Sequence, residues 1–567
     1  MSDRAVGKAF FGSLMLSATV FILNPSFIYQ NNPQDISLEY GNLLLFGACF
    51  AVLATAIVFP LAVLTRTGFA VAGIALAAAG KLYFLPSHVP LLDGGEVFSK
   101  FASAAGLWSV LSIVLLVLGG IWLARRLSAS ALAFCLIALL AMGLQPLLDP
   151  ESWRFSWPST ALASELAPNS EEARFFKFSK QGDALIVLLD TVQSDVFAQV
   201  LQEHPEYREA LTGFTYFWNN VGRAPTTLMS MIPIYSGKPY EGGSVTARYN
   251  DLRKDSLFSD FEAHGYGSSL AGISIIGCPA QHCISTSKLI RLEKFQVDLS
   301  NYLEVLELGL LRIFPTFVHE RWYNDDRGRL RTALSTVPAS KAAKSLAALS
   351  SIARYLEPTD ADRSLKVLHL MGAHPPIALD GGCNEVNVSG KSREDYEDLV
   401  RCNVRTFVDL VAALKEAGVY DQMTIVLLAD HGETTGEPEE ELEPILGKVP
   451  PLWGRLARFE PLLAIKLPNR TGPFQIDDAP TQNSDLRATL CAEVLRDCGG
   501  GILGENVFAL EDDAARQRHF IDFLLWQTDH RRLDGMPEEA YEEFTVTGLL
   551  RDADYDSSAL PPREKFK

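Results

Sequence analysis

The chain has 567 residues, 48% of them hydrophobic and 21% charged, with a formal net charge of −18, which excludes a disordered protein because such a composition can bury ample core. Residues 1–150 hold 7 Lys and Arg against 6 Asp and Glu, and the remainder holds 43 against 62. The first part does not suit a fully soluble cytosolic enzyme, the second does not suit a pure membrane bundle, and the acidic balance excludes nucleic acid as a partner, since phosphates need a Lys/Arg surface.

In chain order, five apolar stretches come first, at 9–23, 42–64, 68–86, 106–124 and 128–148. Most are near the ~20 residues a helix needs to cross hydrocarbon. A cleavable signal peptide competes for residues 1–24, but four more spans follow, so the first stretch is taken as a helix. Arg4 and Lys8, then Arg66, then Arg125 and Arg126 mark cytoplasmic ends by the positive-inside rule. The alternate loops, 24–40 and 87–105, carry Asp35, Glu39, Asp93 and Glu96 against Lys100 alone and face outward. Five spans that start inside deliver everything after residue 150 to the outside.

Residues 151–180 read as an interfacial linker, with Trp153, Phe155 and Trp157 at headgroup depth and Pro, Ser and Asn behind them. From residue 181 the pattern changes to continuous apolar runs of strand length, at 183–190, 365–371 and 423–429, separated by helical stretches such as 338–355 and 394–417. That alternation predicts an α/β sheet of buried parallel strands, with polar residues just past the strand ends, where such sheets keep their sites. The apolar stretch 302–317 reads as an ordinary core helix, with a membrane-resting lipid guide as the alternative.

The cysteines give an independent indication of compartment. Cys49 and Cys135 lie in apolar spans and read as small core residues. The other six fall in near neighbours, Cys278 with Cys283, Cys383 with Cys402 and Cys491 with Cys498, as suits disulfides in an oxidising compartment.

Three strand ends present Asp190, His374 and the pair Asp430 and His431, while the segment 222–230 supplies the hydroxyls of Thr226 and Thr227. Carboxylate oxygen and imidazole nitrogen together suit a borderline divalent ion, zinc or manganese, better than calcium or magnesium. A Thr hydroxyl beside that ion loses its proton more readily and can attack phosphorus. Each feature also has a plainer reading: an acid at a strand end as a helix cap, His374 as a turn residue, the two threonines as caps of the next helix. His369 reads as a satisfied strand histidine.

In these motifs the sequence resembles the alkaline phosphatase/sulfatase superfamily, in the branch of membrane-anchored phosphoethanolamine transferases, lipoteichoic acid synthases and phosphoglycerol transferases. The residues that carry the resemblance are Ala184 to Thr191, Thr226-Thr227-Leu228-Met229-Ser230 with Ser236-Gly237, His369 to Pro376, and Leu427 to Glu433. It implies a five-helix transmembrane domain (1–150), the linker (151–180) and a sulfatase-like α/β periplasmic domain (181–567) at the bacterial inner membrane. One divalent metal would be held by Asp190, Thr227, Asp430 and His431. Thr227, favoured by its spacing to Ser230 and Gly237, or else Thr226, would be the nucleophile, and His374 would contact the substrate phosphate. The C/S-x-P-x-R setting of true sulfatases is absent. No His lies between His431 and His519, where phosphoethanolamine transferases place a further one, which leaves Arg455, Arg458 or Lys466 to supply positive charge. The implied activity moves phosphoethanolamine or phosphoglycerol from a phospholipid to a periplasmic glycan or lipid acceptor through a phosphothreonine. Alternatives are a membrane-tethered phosphodiesterase or phosphatase, or a non-catalytic lipid-sensing protein of the same fold.

Overall fold

The computed structural model describes residues 3–31, 36, 38–84, 104–144, 155–157, 170–240, 244–272, 277–315, 318–319, 322–324, 327–335, 337–338, 340–390, 392–433, 435, 456–498, 502–511, 516–523 and 541–547. The chain divides into two compact units, one of residues 1–165 with 292–340 and one of 166–291 with 341–567.

The first unit is helical. Helices α1 (Asp3–Ala18) and α2 (Asn24–Asn31) are joined by a π turn into one 29-residue segment, followed by α3 (Tyr40–Leu64), α4 (Gly68–Phe84), α5 (Ala104–Arg126) and α6 (Ala129–Gly143). Within the described residues, all five expected apolar segments are therefore helical. Among the described residues, however, three are long and apolar enough to cross a membrane, Asp3–Asn31, Tyr40–Leu64 and Ser109–Arg126, and not the expected five. The other two, α4 and α6, are 17 and 15 residues long. Ser128 caps α6 by accepting the Ala131 N–H at 3.1 Å, which satisfies a donor that the helix itself leaves open. Small residues let the helices approach: a Cβ on Gly73 would stand 2.5 Å from the Ile121 Cα, and one on Gly120 2.2 Å from the Gly73 carbonyl oxygen. Cys49 is exposed on α3 and not a core residue. Trp153 lies outside the described residues, while Phe155 and Trp157 are exposed.

The segment 292–340 groups with these helices and not with the α/β unit in which the sequence boundary at 181 places it. Its helix α7 (Lys294–Ile313) is amphipathic, and the core it joins is formed by α3 and the start of the chain. The fully buried Tyr302 ring stacks on Phe46 and Phe50 at 5.7 and 5.4 Å between centroids, and its hydroxyl donates to the Phe21 carbonyl at 2.8 Å. Asn42 Nδ2 and Lys294 Nζ donate to Asp298 Oδ2 at 2.7 and 3.0 Å. A short helix α8 (Arg329–Leu334) receives at its N-terminus the buried Glu307 carboxylate from α7, which accepts the Leu330 and Arg331 N–H groups.

The second unit is built on an eight-stranded sheet. In chain order its strands are β1 (Ala184–Leu189), β2 (Phe214–Phe217), β3 (Gly267–Ala271), β4 (His282–Ile284), β5 (Ser364–Leu370), β6 (Thr424–Leu428), β7 (Leu463–Lys466) and β8 (Gln475–Asp477), and their order across the sheet is β8-β2-β7-β6-β1-β5-β3-β4. Only β7 runs against the others. Central strands are apolar on both faces for a visible reason. Leu185, Val187 and Leu189 of β1 pack with Ile425 and Leu427 of β6 in one core, and Ala184, Ile186 and Leu188 pack with Val426 and Leu428 in the other, as expected when helices cover both faces. Disulfides join Cys278 to Cys283, Cys383 to Cys402 and Cys491 to Cys498, the three pairs expected from sequence.

Candidate active site

The three adjacent strands β6, β1 and β5 bring their C-terminal ends together. β1 leads directly into Asp190, whose N–H donates to the Leu370 carbonyl of β5 at 2.9 Å, and β6 leads through Ala429 to Asp430 and His431. Thr191, just past Asp190, has φ +66°, an unfavourable backbone conformation for a β-branched residue. In that conformation its N–H donates to Asp430 Oδ1 at 3.2 Å and ties the two acids to each other. Asn483 Nδ2 holds the same strand end from outside, donating to the Ala429 and Asp430 carbonyls at 2.9 and 3.2 Å.

Asp190 and Asp430 are fully buried and His431 nearly so, with ligand atoms that all lie within 4.8 Å of one another. His431 Nδ1 lies 2.8 Å from the Gly432 carbonyl, which assigns the ring proton to Nδ1 and leaves the Nε2 lone pair facing the acids. That Nε2 is 3.6 Å from Asp430 Oδ2 and 3.9 Å from Asp190 Oδ1. Ligands ~2.0–2.1 Å from a tetrahedral zinc stand about 3.3 Å apart, so small movements would close this set on an ion. Asp190 Oδ1 and Asp430 Oδ2 are buried without a hydrogen-bond partner. Two such carboxylate oxygens beside an imidazole lone pair carry a high desolvation cost, and the donor set fits a divalent cation.

Thr227 is the first residue of the helix Thr227–Ser236, and its Oγ1 donates to Asp190 Oδ2 at 3.2 Å and lies 3.4 Å from His431 Nε2. Thr226 occupies the cap position with its carbonyl accepting the Met229 and Ser230 N–H groups, and its side chain makes no cap bond. The geometry thus brings Thr227 to the carboxylate and imidazole group. The helix N-terminus there supplies free N–H groups and a positive dipole end to an anion.

His369 also belongs to this site and is more than the satisfied strand histidine that the sequence suggests. Its Nε2 is 3.1 Å from Asp190 Oδ2. Burial opposes a charged imidazole, yet the hydrogen bond and charge of Asp190, with the charge of Asp430, hold its pKa above the ordinary value. Asp190 responds in kind: burial would raise its pKa, but the His369 hydrogen bond and the electrostatic pull of His374 and His369 hold it well below the carboxylate range. His374, half-buried, lies within electrostatic reach of Asp190 and has its Nδ1 on the Pro375 carbonyl.

Of the three basic residues considered, Arg455 lies outside the described residues. Lys466 is not in the site. It ends β7, the one reversed strand, and so points its fully buried ammonium at the opposite edge of the sheet, where it donates to the Tyr420, Asp421 and Met423 carbonyls at 2.6, 2.8 and 3.0 Å. Burial there lowers its pKa to about 8. Arg458 precedes β7 and therefore sits at the site end. Its Nη2 reaches both Glu433 oxygens at 3.4 Å and its Nη1 donates to the Pro225 carbonyl at 3.1 Å, which braces the loop that leads to Thr226 and Thr227. A second group with metal-like spacing, Asp260 with Cys491 and Cys498, is already satisfied: its sulfurs form a disulfide and Asp260 accepts from Arg487 Nε at 2.7 Å.

No family model and no curated protein matches this sequence. Among solved structures, the chain is similar to a lipoteichoic acid synthase from Listeria monocytogenes at 12% identity and a TM-score of 0.37, over 67% of this chain and 88% of that one. It is similar to a phosphonate monoester hydrolase from Silicibacter pomeroyi at 14% identity and a TM-score of 0.40, over 65% and 87%. The C-terminal periplasmic domain of EcEptC from Escherichia coli, in complex with zinc, matches at 13% identity and a TM-score of 0.34, over 55% and 82%. Independently of these likenesses, in its motifs and in the strand ends that carry them, the chain is similar to the alkaline phosphatase/sulfatase superfamily.

Proposed function

We propose that the protein is a membrane-bound, metal-dependent transferase that takes a phospho-alcohol group, phosphoethanolamine or phosphoglycerol, from a phospholipid and passes it to an envelope glycan or lipid acceptor. The observation that carries this reading is the Thr227 hydroxyl, set at a helix N-terminus 3.2 Å from Asp190 Oδ2 and 3.4 Å from His431 Nε2. The cap position belongs to Thr226, so the Thr227 oxygen is not taken up in closing the helix.

Asp190, Asp430, His431 and Thr227 would hold the ion, which when bound supplies Lewis acidity and lowers the pKa of the hydroxyl. Thr227 Oγ1 then bonds to phosphorus, and the bond from phosphorus to the diacylglycerol oxygen breaks. The proton lost by Thr227 is balanced by the one the departing diacylglycerol takes up. The N–H groups at the start of the helix Thr227–Ser236 would face the phosphoryl oxygens, and His374 would orient them. In the second half-reaction an acceptor hydroxyl attacks the same phosphorus and Thr227 leaves as it was. His369 is a positioning residue, since it reaches the chemistry through Asp190 Oδ2. We take all five apolar segments as spans, with the α/β unit on the periplasmic side of a bacterial inner membrane, because the Arg and Lys pattern sets that orientation and the three disulfides suit an oxidising compartment.

The test uses full-length protein in vesicles that contain headgroup-labelled phosphatidylethanolamine or phosphatidylglycerol. Diacylglycerol should be released in step with label retained on protein until an acceptor is added. Steady release of free phospho-alcohol to water, with no label on protein, would instead make the enzyme a phosphodiesterase.

A further inference from the structure

The ends of α2, α4 and α7 gather a second set of polar groups inside the helical unit. Arg312, in the last turn of α7, lies with its guanidinium carbon 4.1 Å above the Phe27 ring of α2, and Phe27 meets Tyr83 of α4 edge to face at 6.4 Å. Lys81, one turn from the end of α4, is close enough to Arg312 for the two cations to repel, and His319, bonded to the Phe314 carbonyl, is an electrostatic neighbour of Lys81. Among the described residues, no carboxylate acts on either cation.

The polar groups around them are equally unanswered. Arg312 Nε, the Tyr83 hydroxyl and both amide atoms of Asn24 are buried with no hydrogen-bond partner, and Asn24 is completely shielded from solvent. Asn24 lies one turn before Phe27 on α2 and against Gly309, one turn before Arg312 on α7. A Cβ on Gly309 would stand 2.5 Å from Asn24 Nδ2, so glycine is what allows this approach. A half-buried pair of like charges beside buried donors that have no partner is costly unless an anion completes it. The location sharpens the point, because the positive-inside rule leaves the outward ends of spans poor in Lys and Arg, and in the orientation read from the sequence Lys81 stands at such an end.

We propose that Lys81, Arg312, Tyr83 and Asn24 form a binding site for a phosphate-bearing anion, such as a phospholipid headgroup, within the helical unit. Arg and Lys suit a phosphodiester through charge-assisted hydrogen bonds, and the Phe27 ring fixes the guanidinium plane for them. The site is defined by the helical unit alone and does not depend on the phosphotransfer reading.

The experiment titrates delipidated full-length protein in detergent with short-chain phosphatidylglycerol, with sodium phosphate and with short-chain diacylglycerol, following thermal unfolding. The comparison is with K81Q/R312Q and with Tyr83→Phe. Phosphatidylglycerol should stabilise the wild type where diacylglycerol does not, with affinity weakened at least about tenfold in K81Q/R312Q and severalfold in Tyr83→Phe. Sodium phosphate acting alone with the same losses would identify a free anion as the occupant of the same site. Titrations equal in wild type and K81Q/R312Q, or neither phosphatidylglycerol nor sodium phosphate stabilising the wild type more than diacylglycerol does, would overturn the proposal. If K81Q/R312Q does not fold, Tyr83→Phe decides, and unchanged affinity in that variant overturns it. Cleavage of a soluble aryl phosphodiester should stay unchanged in both variants, which separates this site from the metal centre.

Discussion

The substitution Asp430→Asn separates a metal centre from a structural ion pair. In the wild type two fully buried carboxylates and one imidazole stand within 4.8 Å, each acid with one oxygen unbonded. Any ion that binds only the folded protein stabilises it by RT ln(1 + [L]/Kd), about 2.7 kcal/mol at a hundredfold excess over Kd. For a unit of this size that is roughly 5 °C or somewhat less in melting temperature. Asparagine keeps the oxygen that accepts the Thr191 N–H but removes one of the four proposed ligands and the charge repulsion between the two acids. Metal-free Asp430→Asn should therefore melt no lower than metal-free wild type, and added zinc or manganese should move it by less than about 1 °C, a shift too small for a hundredfold excess over Kd. The assay is thermal unfolding of full-length protein with chelator and then with each metal. Equal metal-induced shifts in the two proteins, or a metal-free variant that melts far below wild type, would refute the reasoning.

Two further outcomes concern the helical unit. Tyr302→Ala removes a fully buried ring stacked on Phe46 and Phe50 and should cost roughly 3–5 kcal/mol, whereas Tyr302→Phe loses only the bond to the Phe21 carbonyl, about 1 kcal/mol. Limited proteolysis of full-length protein should then open residues 292–340 first in Tyr302→Ala, and an unchanged digestion pattern would contradict the grouping of that segment with α3. Glu307 is held by burial at a pKa of about 7, up from 4.5, against the pull of the Leu330 and Arg331 N–H groups and the Arg331 charge. The folded state thus binds this proton more tightly than the unfolded one. Its stabilisation is complete below about pH 4.5 and is lost as pH rises through about 7, on the order of 3 kcal/mol in all. Glu307→Gln should flatten the stability profile between about pH 5 and 8, and an unchanged slope would contradict the assignment.

Much of the site was legible because its parts are local. Asp190, Asp430 and His431 close apolar runs whose length marks them as strands, and strand ends are where open α/β sheets gather polar groups. His369 was equally within reach. Laying 365–370 beside 184–189 pairs His369 with Leu188, and Asp190, two residues on, shares that face because side chains alternate along a strand. Lys466 misled for a reason no local pattern contains: β7 runs backwards, so its last residue lies at the edge away from the site, while Arg458 before it lies at the site. The partner of α7 was also hidden, since an amphipathic helix shows that it has a core side without naming the core. Near-neighbour cysteines were readable because short separations leave few rival pairings.

The central claim is that phosphorus becomes covalently bound to one hydroxyl. Full-length wild type and Thr227→Ala, metal-loaded and incubated with phosphatidylethanolamine or phosphatidylglycerol vesicles without acceptor, are digested, and the peptide that spans Thr226 and Thr227 is fragmented by mass spectrometry. A phosphoethanolamine or phosphoglycerol adduct on Thr227, absent from Thr227→Ala, is the predicted result. An adduct on Thr226 or another residue, or turnover of the lipid by Thr227→Ala at the wild-type rate, would contradict the account.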